Sequence, residues 1–422
     1  MEAVVKKKTV KAPSVRFDRF NGDWSVTRLG TVVEAVGEPV ALEDTKVYRE
    51  IGIRSHGRGI FHKDPITGKQ LGDKRCFWVE KDALVFNIVF AWEQAVALTT
   101  DAEDGFIASH RFPMYHAVPT KARVEFLHHL FLSQKGKWLL GSASPGGAGR
   151  NKTLGNKAFA DLKVTIPGPD EQQKIAAFLS AVDAKVRQLT RKQALLEQYK
   201  KGVMQQLFSR ALRFKRKDGT PSRGASATKG AAYPEWEEKR LGEIVTFTKG
   251  KGVSKGDIVE GGATKCIRYG ELYTTYGEVI DEVVSTTDVN PSLLLLSKKN
   301  DVIIPASGET QLDIATASCV MHDGIALGGD LNVMRTQENG VFLAYYLNGA
   351  RRNQIAELAQ GNAVVHLYPR QLQDLSIDVP SLEEQQRIAG FLMALDAKVA
   401  MVANEVEAAQ RWKKGLLQQM FV

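Results

Sequence analysis

Cysteine is scarce. Cys76, Cys266 and Cys319 stand alone, with no CxxC pair and no Cys/His set at zinc-ligand spacing, which excludes a disulfide framework and a zinc-finger reader. Long apolar runs are missing too: Leu293 to Leu296 falls far short of the ~18 residues that span a bilayer. Met1 to Lys11 carries lysines without the apolar segment of a secretion signal. These absences lead us to expect a cytoplasmic, reduced protein with no membrane partner. Catalytic signatures are equally sparse. We find no Asn/Asp-Pro-Pro-Tyr/Phe adenine-methyltransferase motif, no glycine-rich cofactor loop between strand and helix, and no paired carboxylates with a lysine of nuclease type. The eight histidines supply no metal cluster. His128 and His129 are neighbours that a helix would point to different faces, and His56 and His62 lack partners.

Charge of one sign is in excess. Lysine and arginine number 57 against 48 acidic residues, a formal charge of +9. The basic residues cluster in an N-terminal arm (Lys6, Lys7, Lys8, Lys11, Arg16, Arg19) and in a mid-chain stretch (Arg210, Arg213, Lys215, Arg216, Lys217, Arg223, Lys229). Such clusters favour a polyanion through counterion release, although solvated tails would show the same composition.

The chain states one pattern twice. Pro167-Gly-Pro-Asp-Glu-Gln-Gln-Lys-Ile-Ala-Ala-Phe-Leu179 returns as Pro380-Ser-Leu-Glu-Glu-Gln-Gln-Arg-Ile-Ala-Gly-Phe-Leu392, and Lys200-Lys-Gly202 as Lys413-Lys-Gly415. About 19 identities fall in about 44 aligned positions at constant offset, too many for chance and too far apart for a solenoid. The entrances echo as well: Trp24-Ser-Val-Thr-Arg-Leu-Gly30 answers Trp236-Glu-Glu-Lys-Arg-Leu-Gly242. Each repeat predicts a helix, with proline before it and acidic residues in its first turn. Apolar residues step by three and four through Ile175, Leu179, Val182, Tyr199 and Leu207, and through Ile388, Leu392, Val402, Trp412 and Met420. That period predicts a coiled-coil seam.

Six segments follow: a basic arm (1–22), a mixed domain (23–165), a helical repeat (166–212), a polar linker (213–232), a second mixed domain (233–378) and a second repeat (379–422). The expected fold class is α+β. Two mixed α/β domains are separated by two long helices packed as an antiparallel coiled coil, with internal pseudo-two-fold symmetry.

The doubled Pro-x-x-x-Glu-Gln-Gln-x-Ile-Ala-x-Phe-Leu helix start, each copy after a mixed domain, resembles the specificity subunit of Type I restriction–modification systems. So do Gly141-Ser-Ala-Ser-Pro-Gly-Gly-Ala-Gly-Arg-Asn-Lys152 and Ile304-Pro-Ala-Ser-Gly-Glu-Thr310. The resemblance implies two target-recognition domains, each reading half of a split double-stranded DNA site. It implies helices that set the spacing and dock two methyltransferase subunits, and separate motor-nuclease subunits. S-adenosylmethionine would be bound by the methyltransferase partners, and no cofactor and no catalysis would belong to this chain. Because the two domains differ in sequence, the site would be asymmetric. A coiled-coil scaffold without DNA specificity and a self-contained DNA-modifying enzyme are the competing classes.

Candidate DNA contacts are those whose types suit base edges and phosphates. In the first domain these are Arg54, Ser55, His56, Arg58 and Lys63 among glycines, then Lys69, Lys74 and Arg75, and Arg150, Asn151 and Lys152 after the glycine-rich run. In the second they are Lys249, Lys251 and Lys255, then Arg268 and Tyr269, then Ser307, Glu309, Thr310 and Gln311, and Arg335. The Lys249–Lys255 run lacks the GxxxxGK[ST] spacing, so no nucleotide site is read there. A solvated hairpin and ordinary loop capping would also explain several of these. Partner-docking candidates are the recurring polar residues Glu171, Gln172, Gln173 and Asp183, with Glu384, Gln385, Gln386 and Asp396. Helix capping is the other job that would make them recur.

Overall fold

A short antiparallel pairing precedes each long helix. Strand Trp24–Arg28 pairs with Lys163–Ile166, and strand Glu237–Arg240 pairs with Ser376–Val379. Each second strand leads through a proline into a helix: Pro169–Phe208, of 40 residues, and Leu382–Gln419, of 38. At 1.5 Å per residue these are ~60 and ~57 Å long. Asp170 and Glu171, and Glu383 and Glu384, sit in the first turns, where the exposed backbone N–H groups favour negative charge. The computed structural model describes residues 9–10, 13–146, 152–215, 233–361 and 364–421.

The chain forms two compact units. One comprises the chain up to Thr190 together with Asn404 onward; the other runs from Arg191 to Ala403. Each long helix therefore contributes one part to each unit.

In the first unit, four antiparallel strands lie in the order Val96–Leu98, Leu84–Phe86, Met114–Ala117, Val33–Val36. Leu84–Phe86 is buried along its whole length, as an inner strand covered on both faces should be. Helix Val124–Leu132 packs against this sheet, and helix Gln134–Ser142 packs against that helix and the turn Ala91–Glu93. Trp24, Phe86, Phe126, Phe131 and Phe159 fill the core, joined by Ile175 and Leu179 of the central helix and by Leu417, Met420 and Phe421 of the C-terminal one. Each large apolar side chain buried here contributes roughly 1.5–3 kcal/mol.

In the second unit, five strands lie in the order Val245–Lys249, Leu331–Thr336, Val302–Pro305, Ser318–Val320, Val279–Ile280, with only the last pairing parallel. A smaller sheet sets Thr264–Ile267 between Ser285–Thr287 and Ala326–Leu327. Trp236, Phe342, Tyr345 and Tyr346 form a core with Val203, Leu207 and Phe208 of the central helix and Ile388 and Leu392 of the C-terminal one.

Within each unit the two helix segments pack antiparallel. Early residues of the central helix meet late residues of its partner in the first unit, and the reverse holds in the second. The α+β class and the packed long helices expected from the sequence are both present. The seam differs from expectation at Tyr199 and Trp412, which are 53% and 54% exposed. Trp412 touches Phe178 edge-on, with ring centroids 5.9 Å apart, and leaves the rest of its surface open.

Candidate nucleic-acid interface

The two helix starts carry one constellation. Glu171 is buried and accepts two hydrogen bonds from Arg16, at 2.6 and 2.7 Å, and one from the Trp24 indole at 3.3 Å. Glu384, also buried, accepts from Arg213 at 3.1 and 2.9 Å and from the Trp236 indole at 3.1 Å. Hydrogen bonding to Glu171 and to Glu384 pushes the Arg16 and Arg213 guanidiniums up from their ordinary value. Next door, Gln172 accepts from the Arg123 backbone N–H and donates to the Lys121 and Pro167 carbonyls. Gln385 accepts from the Asn339 N–H and donates to Pro380 O and Glu338 Oε2. These four recur because they clasp each unit to its own helix. The expected outward docking role is corrected for them: buried side chains already engaged within the unit present no face to a partner. Gln173 and Gln386 are exposed beside them.

Asp183 and Asp396 are engaged as well. Asp183 pairs with Lys413 at 2.5 Å, and Asp396 with Lys200 at 2.6 Å and with the Tyr345 hydroxyl. Both carboxylates join the two helices.

The sequence signal for these clasps was present in Arg16-Phe17 and Arg213-Phe214. Each arginine reaches its glutamate while each phenylalanine meets the helix edge-on, Phe17 on Phe178 and Phe214 on Phe391, both at 5.6 Å.

In the first unit the candidate hairpin is built from strands Ile51–Ile53 and Ile60–His62. Its tip is left-handed at His56, Gly57 and Gly59, with φ of 61°, 63° and 77°. Arg54, His56 and Arg58 are exposed on it. Arg54 stacks over Phe61 at 4.8 Å and donates to Ile60 O, and Arg58 donates to Ser55 O. The tip is braced from beneath: the His56 and Gly57 N–H groups donate to Glu93 O and Gln94 O, and Ser55 Oγ donates to Glu93. Gln94 in turn donates to the Phe131 and Ser133 carbonyls where the two helices meet.

Lys63 and Lys74 are partly exposed and both pair with the buried Glu50 carboxylate, so a phosphate contact by either would compete with that pair. Lys69 and Arg75 are exposed, with no ion pair among the described residues. Lys152 lies 5.3 Å over the Trp92 ring. Arg150 and Asn151 lie outside the described residues.

In the second unit, Lys249, Lys251 and Lys255 are exposed. Their loop runs against a neighbouring backbone: a methyl at Gly250 would meet Gly328 O at 2.0 Å, which explains the glycine. Arg268 directly follows strand Thr264–Ile267, as Arg54 follows Ile51–Ile53. Lys255, Arg268, Tyr269, Tyr273 and Glu309 line one cleft of about 480 Å³.

Other candidates in this unit fall away from that cleft or into the fold. Ser307 is buried in a strand pair with His366. Thr310 caps the turn Gln311–Ile314 through Asp313 N–H, and Gln311 is exposed on that turn. Arg335 is engaged with buried Asp301 and with Leu296 O. Among the described residues, no cluster of three or more His, Cys, Asp or Glu could hold a metal ion, and no helix is long and apolar enough to cross a membrane.

A family model described as the Type I restriction modification DNA specificity domain matches twice, over residues 21–198 and 233–410. The chain is 24% identical over 273 residues to the Type I restriction enzyme MjaVIII specificity subunit of Methanocaldococcus jannaschii, covering 62% of this chain and 61% of that protein. It is 25% identical over 283 residues to the EcoR124I/EcoR124II specificity subunit of Escherichia coli, covering 65% and 66%. The matched stretch thus spans less than two thirds of these relatives' length. Among solved structures, the S subunit of a Type I restriction-modification system from M. genitalium is similar with a TM-score of 0.57 at 16% identity, covering 98% of this chain and 99% of that one. A second, from work on complex assembly and conformational transition of the type I R-M system, gives 0.54 at 20%, covering 93% and 96%. The structural likenesses bear on the fold.

Proposed function

The chain belongs to the Type I restriction modification DNA specificity family, and from that premise we propose that it is the sequence-reading, non-catalytic subunit of a Type I restriction–modification complex. Each mixed domain reads one half of a bipartite, asymmetric site on double-stranded DNA, and the paired helices set the gap. Two methyltransferase subunits, which bind S-adenosylmethionine, and motor-nuclease subunits act with it in the cytoplasm.

One observation carries this reading. The scaffold is duplicated, yet the chemistry it presents is not. Both units use the same glutamate–arginine–tryptophan clasp at the helix start. One offers a braced hairpin with Arg54, His56 and Arg58, while the other offers a cleft with Lys255, Arg268, Tyr269 and Glu309. Two unlike readers on one repeated frame suit two unlike half-sites. Phosphate contacts position such a protein, and base-edge contacts specify.

The test is selection from a random duplex library by the full-length chain with the subunits that co-purify with it. We expect a two-part motif with a constant gap. Arg54→Ala or Arg58→Ala should relax one half alone. Enrichment of no motif at moderate salt would point instead to a protein scaffold.

A further inference from the structure

The cleft in the second unit is built for a neutral polar ligand rather than for phosphate. Its cations are Lys255 and Arg268, and its carboxylates are Glu271, Glu309 and Asp330. With three negative side chains to two positive ones, a phosphate would enter against like charge. A nucleobase edge carries no net charge and offers both donors and acceptors, which this wall can match.

Arg268 is held for such a task. Glu271 is buried, accepts from the Arg268 backbone N–H at 2.7 Å and from Ser285 Oγ, and stands 3.9 Å from Arg268 Nη2. The Arg268 Nε is buried and has no hydrogen-bond partner among the described residues. The buried Nε cannot reach a ligand, but the side chain is 28% exposed and lines the cleft, so its terminal Nη donors, oriented by the carboxylate, are the ones available to an acceptor pair. The O6 and N7 atoms of guanine form such a pair on the major-groove edge. Glu309, exposed at the same cleft, can accept from the N4 amino group of the paired cytosine. Tyr269 and Tyr273, ring centroids 6.5 Å apart, add flat apolar faces beside it.

We infer that Arg268 and Glu309 together read a G·C base pair in the half-site of the second domain, Arg268 on the guanine and Glu309 on the cytosine. This rests on the reading of the chain as a DNA specificity subunit. Lys255 supplies positive charge at the rim and no base preference.

The experiment is library selection with the full-length chain and its co-purifying subunits, comparing the unaltered protein with Arg268→Ala, Arg268→Lys and Glu309→Gln. We expect one invariant G·C pair in one half-site. Both arginine variants should lose about 5- to 150-fold in discrimination at that pair, since a bidentate contact is worth about 1–3 kcal/mol. Glu309→Gln, a change at an exposed residue, should relax the same pair with folding intact. In the selected duplex, 7-deazaguanine at that position should weaken binding, while inosine, which keeps O6 and N7, should not.

A two-part motif whose every letter survives all three variants, with affinity lowered evenly, would make these residues backbone contacts and overturn the inference. So would equal binding of guanine and 7-deazaguanine. Failure of the unaltered protein to enrich any two-part motif would overturn the inference together with the function on which it rests.

Discussion

Lys200 on the central helix lies 2.6 Å from Asp396 on the C-terminal helix, and its repeat counterpart Lys413 lies 2.5 Å from Asp183, the counterpart of Asp396. The lysine of each copy thus holds the aspartate of the other. A duplicated sequence becomes a reciprocal clasp, which requires antiparallel packing within each unit. Burial alone would lower the Lys200 ammonium, but Glu278 and Asp396 outweigh it and raise the group above its ordinary value.

The first prediction concerns the Asp183–Lys413 pair, which is mostly buried on both sides. Asp183→Ala should lower stability by about 1.5–3 kcal/mol, the usual worth of a hydrogen bond to a charged group. The exchanged pair Asp183→Lys with Lys413→Asp should recover a good part of that loss. Urea unfolding of both single variants and the double one measures the coupling. Strict additivity of the two single effects would remove this pair as a clasp.

The glutamate at the helix start should matter more. Glu384→Ala strips the carboxylate from Arg213 and from the Trp236 indole together. Removing the buried carboxylate leaves Arg213 with the exposed Glu235 as its ion partner and takes the acceptor from the indole, a loss of about 3–5 kcal/mol as for a broken buried pair. In a unit of this size that is a fall of roughly 10 °C in melting temperature. Thermal unfolding should show the drop, and Glu171→Ala should show it in the first unit. A loss below about 1 °C in either would mean that water replaces the carboxylate freely.

Much of this frame was legible in the sequence. The repeated Glu-Gln-Gln start and the apolar steps located both helices, and the tryptophan entrances marked the second copy of the frame, while the strand pairing at those entrances was not legible. The direction in which the polar motif faces was not legible. Glu171 meets Arg16 across 155 residues of chain, and Glu384 meets Arg213 across 171. A recurring polar residue on a helix reads the same whether its partner lies inside the unit or outside it. The candidate readers divide for a similar reason. Arg54 and Arg58 stay exposed because a glycine-bearing turn lifts them clear of the sheet. Lys63 and Lys74 are only partly exposed, because Glu50, ahead of them in the chain, is buried beneath them and demands neutralising charge. Sequence spacing carries no record of which acidic residue is buried.

Acid should weaken the first unit through His129. This residue is the sixth after Arg123, where the second unit has Tyr345 as the sixth after Asn339. Its ring is buried. Nε2 lies 3.3 Å from Ser180 Oγ, and Nδ1 has no partner among the described residues. Burial, then the Lys413 charge, pushes the His129 imidazole down to about 4. Burial, then His129 and Lys413, pushes His128 down to about 3 against the pull of Asp183. Both folded values lie below the ordinary 6.5, so the unfolded chain takes up protons first as pH falls. The stability is whole above pH 6.5 and drains away as pH drops from there toward 4. For His129 the full loss is ~3 kcal/mol. Melting temperature followed from pH 7 to 4.5 should fall less steeply in His129→Phe than in the unaltered chain. Equal slopes would discharge His129 from this role.

Gln94 ties the candidate reader of the first unit to its helices. Its backbone carbonyl accepts from Gly57 at the hairpin tip, and its side chain donates to Phe131 O at 2.8 Å and to Ser133 O at 3.1 Å. Its φ of 59° lies in the left-handed region, so alanine there would add backbone strain to the loss of the amide. Glycine removes the amide alone, because it adopts that φ at no steric cost. Two hydrogen bonds at about 1 kcal/mol each correspond to about a 30-fold change in a local opening equilibrium. Gln94→Gly should therefore speed amide hydrogen exchange at His56 and Gly57 by about 10- to 30-fold while leaving exchange in the second unit untouched. In library selection the same variant should blur the half-site read by the first unit and spare the other. Faster exchange at the tip with both half-sites unchanged would show that the hairpin, although braced by Gln94, does not read DNA. Unchanged exchange would show that the tip is held by Glu93 and the strand pairing alone.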